Sequence, residues 1–249
     1  MIYIATHKKF KEPKLDGYKP IQVGASNKNK LGYITDDTGI NISNKNANFC
    51  ELTGLYWIWK NSSDEYKGLV HYRRYFSNTL RKKIITAEDV KKILKKYDVI
   101  LPFKHRMNNT LVEDYCEISG YKSDLDKVRQ IISMKFPNYL NTYDEVMEGN
   151  DIYFYNMIVA KKEVFDSYCN WLFTILFELE SKVDLEGYND YQKRIYGFMS
   201  ERLLNVYFRY NSYKIFECGV INTEEKWSKS KVIRTSLKRK IMYCIQLLK

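Results

Sequence analysis

NKNANFCELTGLYWIWKNSSDEYKGLVHYRRYF, from Asn44 to Phe76, is the stretch whose reading decides the fold. Leu52, Leu55, Tyr56 and Trp59 recur at helical spacing, which predicts an amphipathic helix capped by Asn44 or Asn46. A polar turn follows. Gly68-Leu69-Val70 then reads as an apolar strand running straight into His71-Tyr72-Arg73-Arg74. Ligands of open α/β sheets bind outside the carboxyl ends of strands. Two guanidiniums and an imidazole at such an end suit an anion, because arginine's planar fork matches phosphate bidentately. On spacing alone, the competing reading of Arg73 and Arg74 as surface partners of carboxylates stays open.

Upstream, Ile2–Thr6 has the same grammar: a buried strand ending in Thr6-His7-Lys8. Residues 18–23 form a second strand closed by Gly24, and 26–44 is a long polar loop. There Asp36-Asp37 reads as a turn rather than a metal or sugar ligand. Downstream, Thr86 with Asp89 predicts a capping box opening a helix, and 98–102 is a strand. Helical patterns over 110–148 break at Gly120 and Pro137. Residues 152–160 read as one strand with Asn156 as its polar interruption, followed by helices over 162–183 and 190–210 and a strand over 214–221. Strands alternating with helices predict an α/β fold with a mostly parallel sheet flanked by helices.

With 249 residues, 45% hydrophobic, and 11 Gly and 4 Pro, the chain can bury a real core and is neither disordered nor low in complexity. Its net charge of +11 calls for an acidic partner. Five scattered cysteines form no zinc or disulfide frame, which suits a cytosolic protein. The first residues are too short in apolar run for a signal peptide. The tail from Lys229 to Lys249 has seven basic residues and no acid, with Ile233, Leu237, Ile241, Cys244 and Leu248 on one helical stripe. This basic amphipathic segment suits peripheral contact with an anionic membrane, or a helix docked on the core. The domain is therefore drawn at 1–222 and the tail at 223–249. Walker, G-x-G-x-x-G, G-x-S-x-G and H-E-x-x-H signatures are missing. Glu201, beside Arg202 in an amphipathic helix, is an unusual charge to bury without a task. Glu51 in a first helical turn suits the macrodipole.

Several of these pieces occur together, in order, in one family. Ala5-Thr6-His7-Lys8, Pro20 to Gly24, Asn41 to Asn46, Tyr56-Trp-Ile-Trp-Lys-Asn61, Gly68 to Phe76, Asn156-Met157, Arg194 and Glu201-Arg202-Leu203 make the sequence resemble the DUF4422 family over roughly residues 1–210. The resemblance implies a GT-A-like domain and a glycosyltransferase of capsule, exopolysaccharide or O-antigen assembly at the inner face of the plasma membrane. The implied partners are a UDP-sugar donor, UDP-galactofuranose first, and a glycan or lipid-linked glycan acceptor, with no nucleic acid. Thr6, His7, Lys8, Asn41, Asn44, Asn46, His71, Arg73, Arg74 and Asn156 are then the nucleotide-sugar residues, and Glu201 or Asp151 the general base. Asp124-x-Asp126 has metal-motif spacing but reads as a helix start, so a Mn²⁺ or Mg²⁺ cofactor is left open. A non-catalytic scaffold and a nucleic-acid binder are the rival expectations.

Overall fold

The computed structural model describes residues 1–26, 28–78 and 83–225; the 226–249 part of the predicted tail lies outside them. Strand β1 (Ile2–Thr6) is buried throughout, and it pairs in parallel with β2 (Tyr18–Gln22) on one side. The short β3 (Ile34–Thr35) extends β2 in parallel. Asp36 beside it is buried, accepting hydrogen bonds from the Gly24 and Ala25 amides (2.8 and 2.9 Å) and the Ser43 hydroxyl (2.5 Å). Asp36-Asp37 is a turn, as the sequence reading has it, and Asp36 is also the buried clasp of the long loop, which that reading does not contain.

The predicted helix over the opening stretch is two helices. α1 (Asn46–Phe49) stops at Cys50, whose φ is +53°, and α2 (Leu52–Asn61) restarts the spiral. Asn46 does not cap; its side-chain amide donates to Cys50 O (2.6 Å) and Thr53 Oγ1 (3.1 Å), holding the break. From α2 the chain enters β4 (Tyr66–His71), which lies parallel to β1. Two residues, Tyr72 and Arg73, reverse it into the antiparallel β5 (Arg74–Ser77).

Thr86 caps α3 (Ala87–Leu94) with the reciprocal Asp89 bond that the sequence predicts, and β6 (Val99–Pro102) follows. A two-stranded ribbon, β7 (His105–Arg106) with β8 (Asp151–Ile152), brackets α4 (Leu111–Asp114), the π-helical turn Tyr115–Ser119, α5 (Lys122–Lys135) and α6 (Leu140–Met147). The apolar run 152–160 is therefore not one strand. It breaks at Tyr155 and Asn156, whose φ values are +80° and +51°, and resumes as β9 (Ile158–Lys161). The long helices α7 (Lys162–Glu180) and α8 (Ile195–Tyr210) lead to β10 (Ile215–Asn222).

Alternation along the strands sorts the core onto two faces of the sheet. Tyr3, Ala5 and Leu69 pack beneath α2, α5, α7 and α8. Ile2, Ile4 and Val70 pack with Tyr75, Phe76 and α3 on the other face. The eight-stranded sheet runs β3-β2-β1-β4-β5-β10-β6-β9, and β9 also pairs with β4, so the second half of the sheet closes on itself. Gly68 makes that closure possible: a Cβ there would stand 2.7 Å from Val159 Cγ2. The result is the α/β sheet between helices that the alternation predicts, but it is mixed rather than mostly parallel. β3, β2, β1 and β4 run parallel, as do β10 and β6. β5 and β9 join antiparallel, because a tight hairpin and the left-handed Tyr155–Asn156 break return the chain without a crossover helix.

Candidate active site

One wall of the site is made of strand ends. At the end of β1 the Thr6 hydroxyl donates to Lys8 O (2.6 Å) and accepts from the Lys8 amide (3.2 Å), which turns the chain and presents His7. At the end of β4 the Tyr72 amide donates to Ala5 O (3.1 Å), so both ends lie side by side. The Tyr72 ring organises the cations: the His7 ring meets it edge-on at 5.4 Å, Lys8 Nζ lies 4.8 Å above it and the Arg73 guanidinium 5.6 Å away. Lys8 and Arg73 also share one carboxylate, Glu224, each at 3.5 Å. Its segment is tied to the hairpin by the Thr223 amide donating to Arg73 O (2.8 Å).

The other wall is helical, and the strained dipeptide Tyr155–Asn156 joins it to the strands. His71 Nε2 donates to Tyr155 O (2.6 Å); a carbonyl only accepts, so the proton sits on Nε2. The Tyr155 amide donates to Glu201 Oε1 (2.6 Å). Asn156 Nδ2 donates to Glu51 Oε1 (2.8 Å) and Gly197 O (3.1 Å), while its Oδ1 accepts from the Ser200 hydroxyl (2.7 Å). The Arg74 guanidinium lies 4.7 Å from the Tyr155 ring. Left-handed conformations at non-glycine residues cost on the order of 1–3 kcal/mol and cluster at functional sites. Here they let two adjacent residues orient an imidazole, an arginine and two carboxylates.

Between the walls lies a cavity of about 940 Å³. His7, Lys28, Arg73 and Arg74 line it from the strand side; Glu51, Arg194, Phe198 and Glu201 line it from the helices. Burial, with the Tyr155 bond working against it and Glu51 adding repulsion, pushes the Glu201 carboxyl up to about 7. Burial holds the His71 imidazole below its ordinary range, so it is neutral at pH 7. Burial and the cations Lys8, Lys28 and Arg73 lower His7 as well. Cys50, which accepts a hydrogen bond from Arg194 Nε (3.3 Å), is pushed up to about 11 by burial and is a thiol. Among the described residues no three His, Cys, Asp or Glu side chains are grouped as a metal-ligand set. Asp124 binds Tyr115, Tyr188 and the Tyr121 amide at the start of α5, as its helix-start reading implies.

Of the residues singled out from the sequence, Thr6, His7, Asn46, His71, Arg73, Arg74 and Glu201 line the cavity. Lys8 stands at its mouth on Tyr72, and Asn156 is buried behind Glu51. Three are elsewhere. Asp151 is exposed on the β7–β8 ribbon, ion-paired with Arg106 at 3.3 Å, and is no base for this cavity. Asn41 is used by its own loop, accepting from the Ser43 amide and donating to Gly39 O, and Asn44 points to solvent. The sequence reading gave no site role to Tyr155, Glu51, Phe198 or Arg194, although Arg194 is one of the family's pieces. A signal existed for two of them: Arg194, Phe198 and Glu201 stand at i, i+4 and i+7, one face of a helix.

The DUF4422 family, described as a domain of unknown function, matches residues 1–212. No curated protein matches the sequence. Among solved structures, the chain is similar to the apo structure of WbbM, a bifunctional glycosyltransferase, at 29% identity and a TM-score of 0.84. The match covers 90% of this chain and 45% of that one, so the chain spans a little less than half of that protein. The motifs around His7, His71 to Arg74, Asn156 and Glu201 thus meet in one cavity within a family match over most of the chain, and the chain belongs to the DUF4422 family.

Proposed function

We propose that the protein is a glycosyltransferase that moves a sugar from a nucleotide-sugar donor, UDP-galactofuranose first among candidates, to a growing cell-surface polysaccharide, lipid-linked during assembly. One observation carries the reading: cations at the carboxyl ends of β1 and β4 face two carboxylates on the helices across a single cavity. The bond between the anomeric carbon and the donor phosphate breaks, and negative charge accumulates on the leaving diphosphate. In this reading Arg73 and Arg74, with Lys8 beside them on Tyr72, receive it, and fixed cations aimed at developing charge are the usual largest source of acceleration. The acceptor oxygen forms the new bond to that carbon, and its proton passes to Glu201. A base with a pKa of about 7 is well matched to neutral operation. Similarity to WbbM supports the same class of activity. Among the described residues no helix is long and apolar enough to cross a membrane, so contact with a lipid-linked acceptor is peripheral in this reading.

Thermal stability against UDP, GDP and a panel of UDP-sugars, each with and without Mn²⁺ or Mg²⁺, tests this directly. A ligand bound only by the folded state at about 100 times its Kd adds roughly 2.7 kcal/mol of stability. Stabilisation by UDP and one UDP-sugar supports the reading and names the donor; the metal arms show whether a divalent ion contributes. Absence of a shift with every nucleotide sinks it and leaves the scaffold reading.

A further inference from the structure

The helical wall carries an aromatic surface of its own. Tyr191 and Phe198 lie 4.8 Å apart, and the Arg194 guanidinium stands 5.6 and 5.3 Å from their rings. Ile118, from the π-helical turn, lines the same cavity. Ile118 and Tyr191 are 51% and 46% exposed, unusual for large apolar side chains. A π-helical turn is rare and recurs at functional sites. Below the platform is a buried polar row lining the cavity: Asp114, Ser119 and Arg202. Arg202 is 2% exposed; its Nη groups donate to Phe198 O (3.0 Å) and Asp114 (2.6 Å), and its Nε has no partner.

We infer that this wall is a binding site for a neutral sugar ring, the seat of the acceptor's terminal sugar. The role of acceptor rests on the glycosyltransferase reading; the sugar binding does not. Three occupants compete, and the chemistry separates them. A phosphate is drawn to His7, Lys28, Arg73 and Arg74 on the strand wall, and Glu201 and Asp114 repel it here. The helical-wall cations are already engaged, Arg194 with two rings and the Cys50 sulfur, Arg202 with Asp114. A hydrocarbon chain would cover the rings but seal Ser119 and the free edge of the Asp114 carboxylate from water without offering either a partner, which is unfavourable. A sugar ring satisfies both layers: its C–H face lies on an aromatic platform and its hydroxyl rim meets the polar row. Phe198 precedes Glu201 by three residues, about 4.5 Å of helix rise. A ring seated on Phe198 therefore presents a hydroxyl to the carboxylate proposed as its base.

Saturation-transfer NMR of the full chain with the methyl glycosides of galactose, glucose, mannose, rhamnose and N-acetylglucosamine tests the site without turnover. At least one glycoside is expected to bind, to remain bound when UDP is added and to bind Arg73→Ala as it binds wild type. Tyr191→Ala, a change at an exposed ring, should weaken it about tenfold. The inference is overturned if no glycoside binds, if UDP displaces the sugar, if octanol displaces it, or if Tyr191→Ala binds it as wild type does. Wild type that binds a glycoside but no nucleotide would defeat the glycosyltransferase reading and leave the sugar site standing.

Discussion

Glu201 keeps its proton to about pH 7 because protein surrounds it and Glu51 lies nearby, and this fixes two expected pH dependences. As a base it works only when ionised, so kcat should rise through about pH 7. In Glu201→Gln that limb should vanish and the rate fall about 10²- to 10⁴-fold, with UDP-induced stabilisation retained. Stability runs the other way. The folded pKa lies above the ordinary carboxylate value, so the group's stabilising contribution is complete below pH 4.5 and is lost as pH rises through about 7. Glu201→Gln should therefore gain in Tm over wild type at pH 8 and not at pH 4. Asn156 gives a second residue-level prediction. Replacing it with Ala deletes the bonds to Glu51 and Ser200 and leaves their groups unmatched, a loss of about 1–3 kcal/mol in chemical denaturation. Glu201 was legible in the sequence because a charge on a buried helical face conflicts with its surroundings. Asp151, Asn41 and Asn44 misled because polarity near a motif says nothing of which way a loop points. The ribbon and the loop turn all three away from the cavity.

At the scale of elements, β10 delivers more than a strand. Asn222 ends it, and Glu224 two residues later bridges Lys8 and Arg73, the cations assigned here to the donor's phosphates. The carboxylate stands where a phosphate would compete with it. Exposed ion pairs are worth about 0.2–1 kcal/mol, so Glu224→Gln should tighten UDP binding about 1.5- to 5-fold by calorimetry. Unchanged or weaker binding would show that donor and Glu224 do not share those cations. Most elements were readable: β1, β4, β6, α3, α7 and β10 each have a run of one periodicity with a clear start. The two failures share a cause. Cys50 and Tyr155–Asn156 take left-handed backbone without a glycine or proline to announce it, so an apolar run read as one strand is two, and one helix is two. The Tyr155–Asn156 break is held by side-chain bonds with Glu51, Ser200 and Glu201, far away in sequence, which local patterning does not contain, and the Cys50 break by the Asn46 side chain, which reads as a cap in the sequence.

The whole molecule depends on α8, which faces the cavity with one side and the core with the other. Arg202 anchors it: the guanidinium is buried, paired with Asp114 of α4 and set 4.9 Å from the Tyr115 ring. Burial pulls its pKa below the usual arginine value, although Glu201 and Asp114 oppose that. Arg202→Ala strands the Asp114 carboxylate at a buried site. A loss of about 3–5 kcal/mol is expected in urea unfolding, with a fall in Tm. A value under about 1 kcal/mol would mean that Asp114 finds water or another donor when the arginine is gone. Overall charge pointed to an anionic partner, which the cations at the strand ends suit, but the pairing of distant walls was not readable, since residues 5–7, 71–74, 114–119 and 191–202 meet only through the fold. The closed circuit β4–β9–β6–β10–β5 has one more effect. A sheet strand without a neighbour is a template for other chains. Here, among the described residues, the open side of the main sheet is the two residues of β3 and the stretch of β2 from Tyr18 to Pro20 that β3 leaves uncovered, a short edge interrupted by a proline, so strand-to-strand polymerisation finds little to copy.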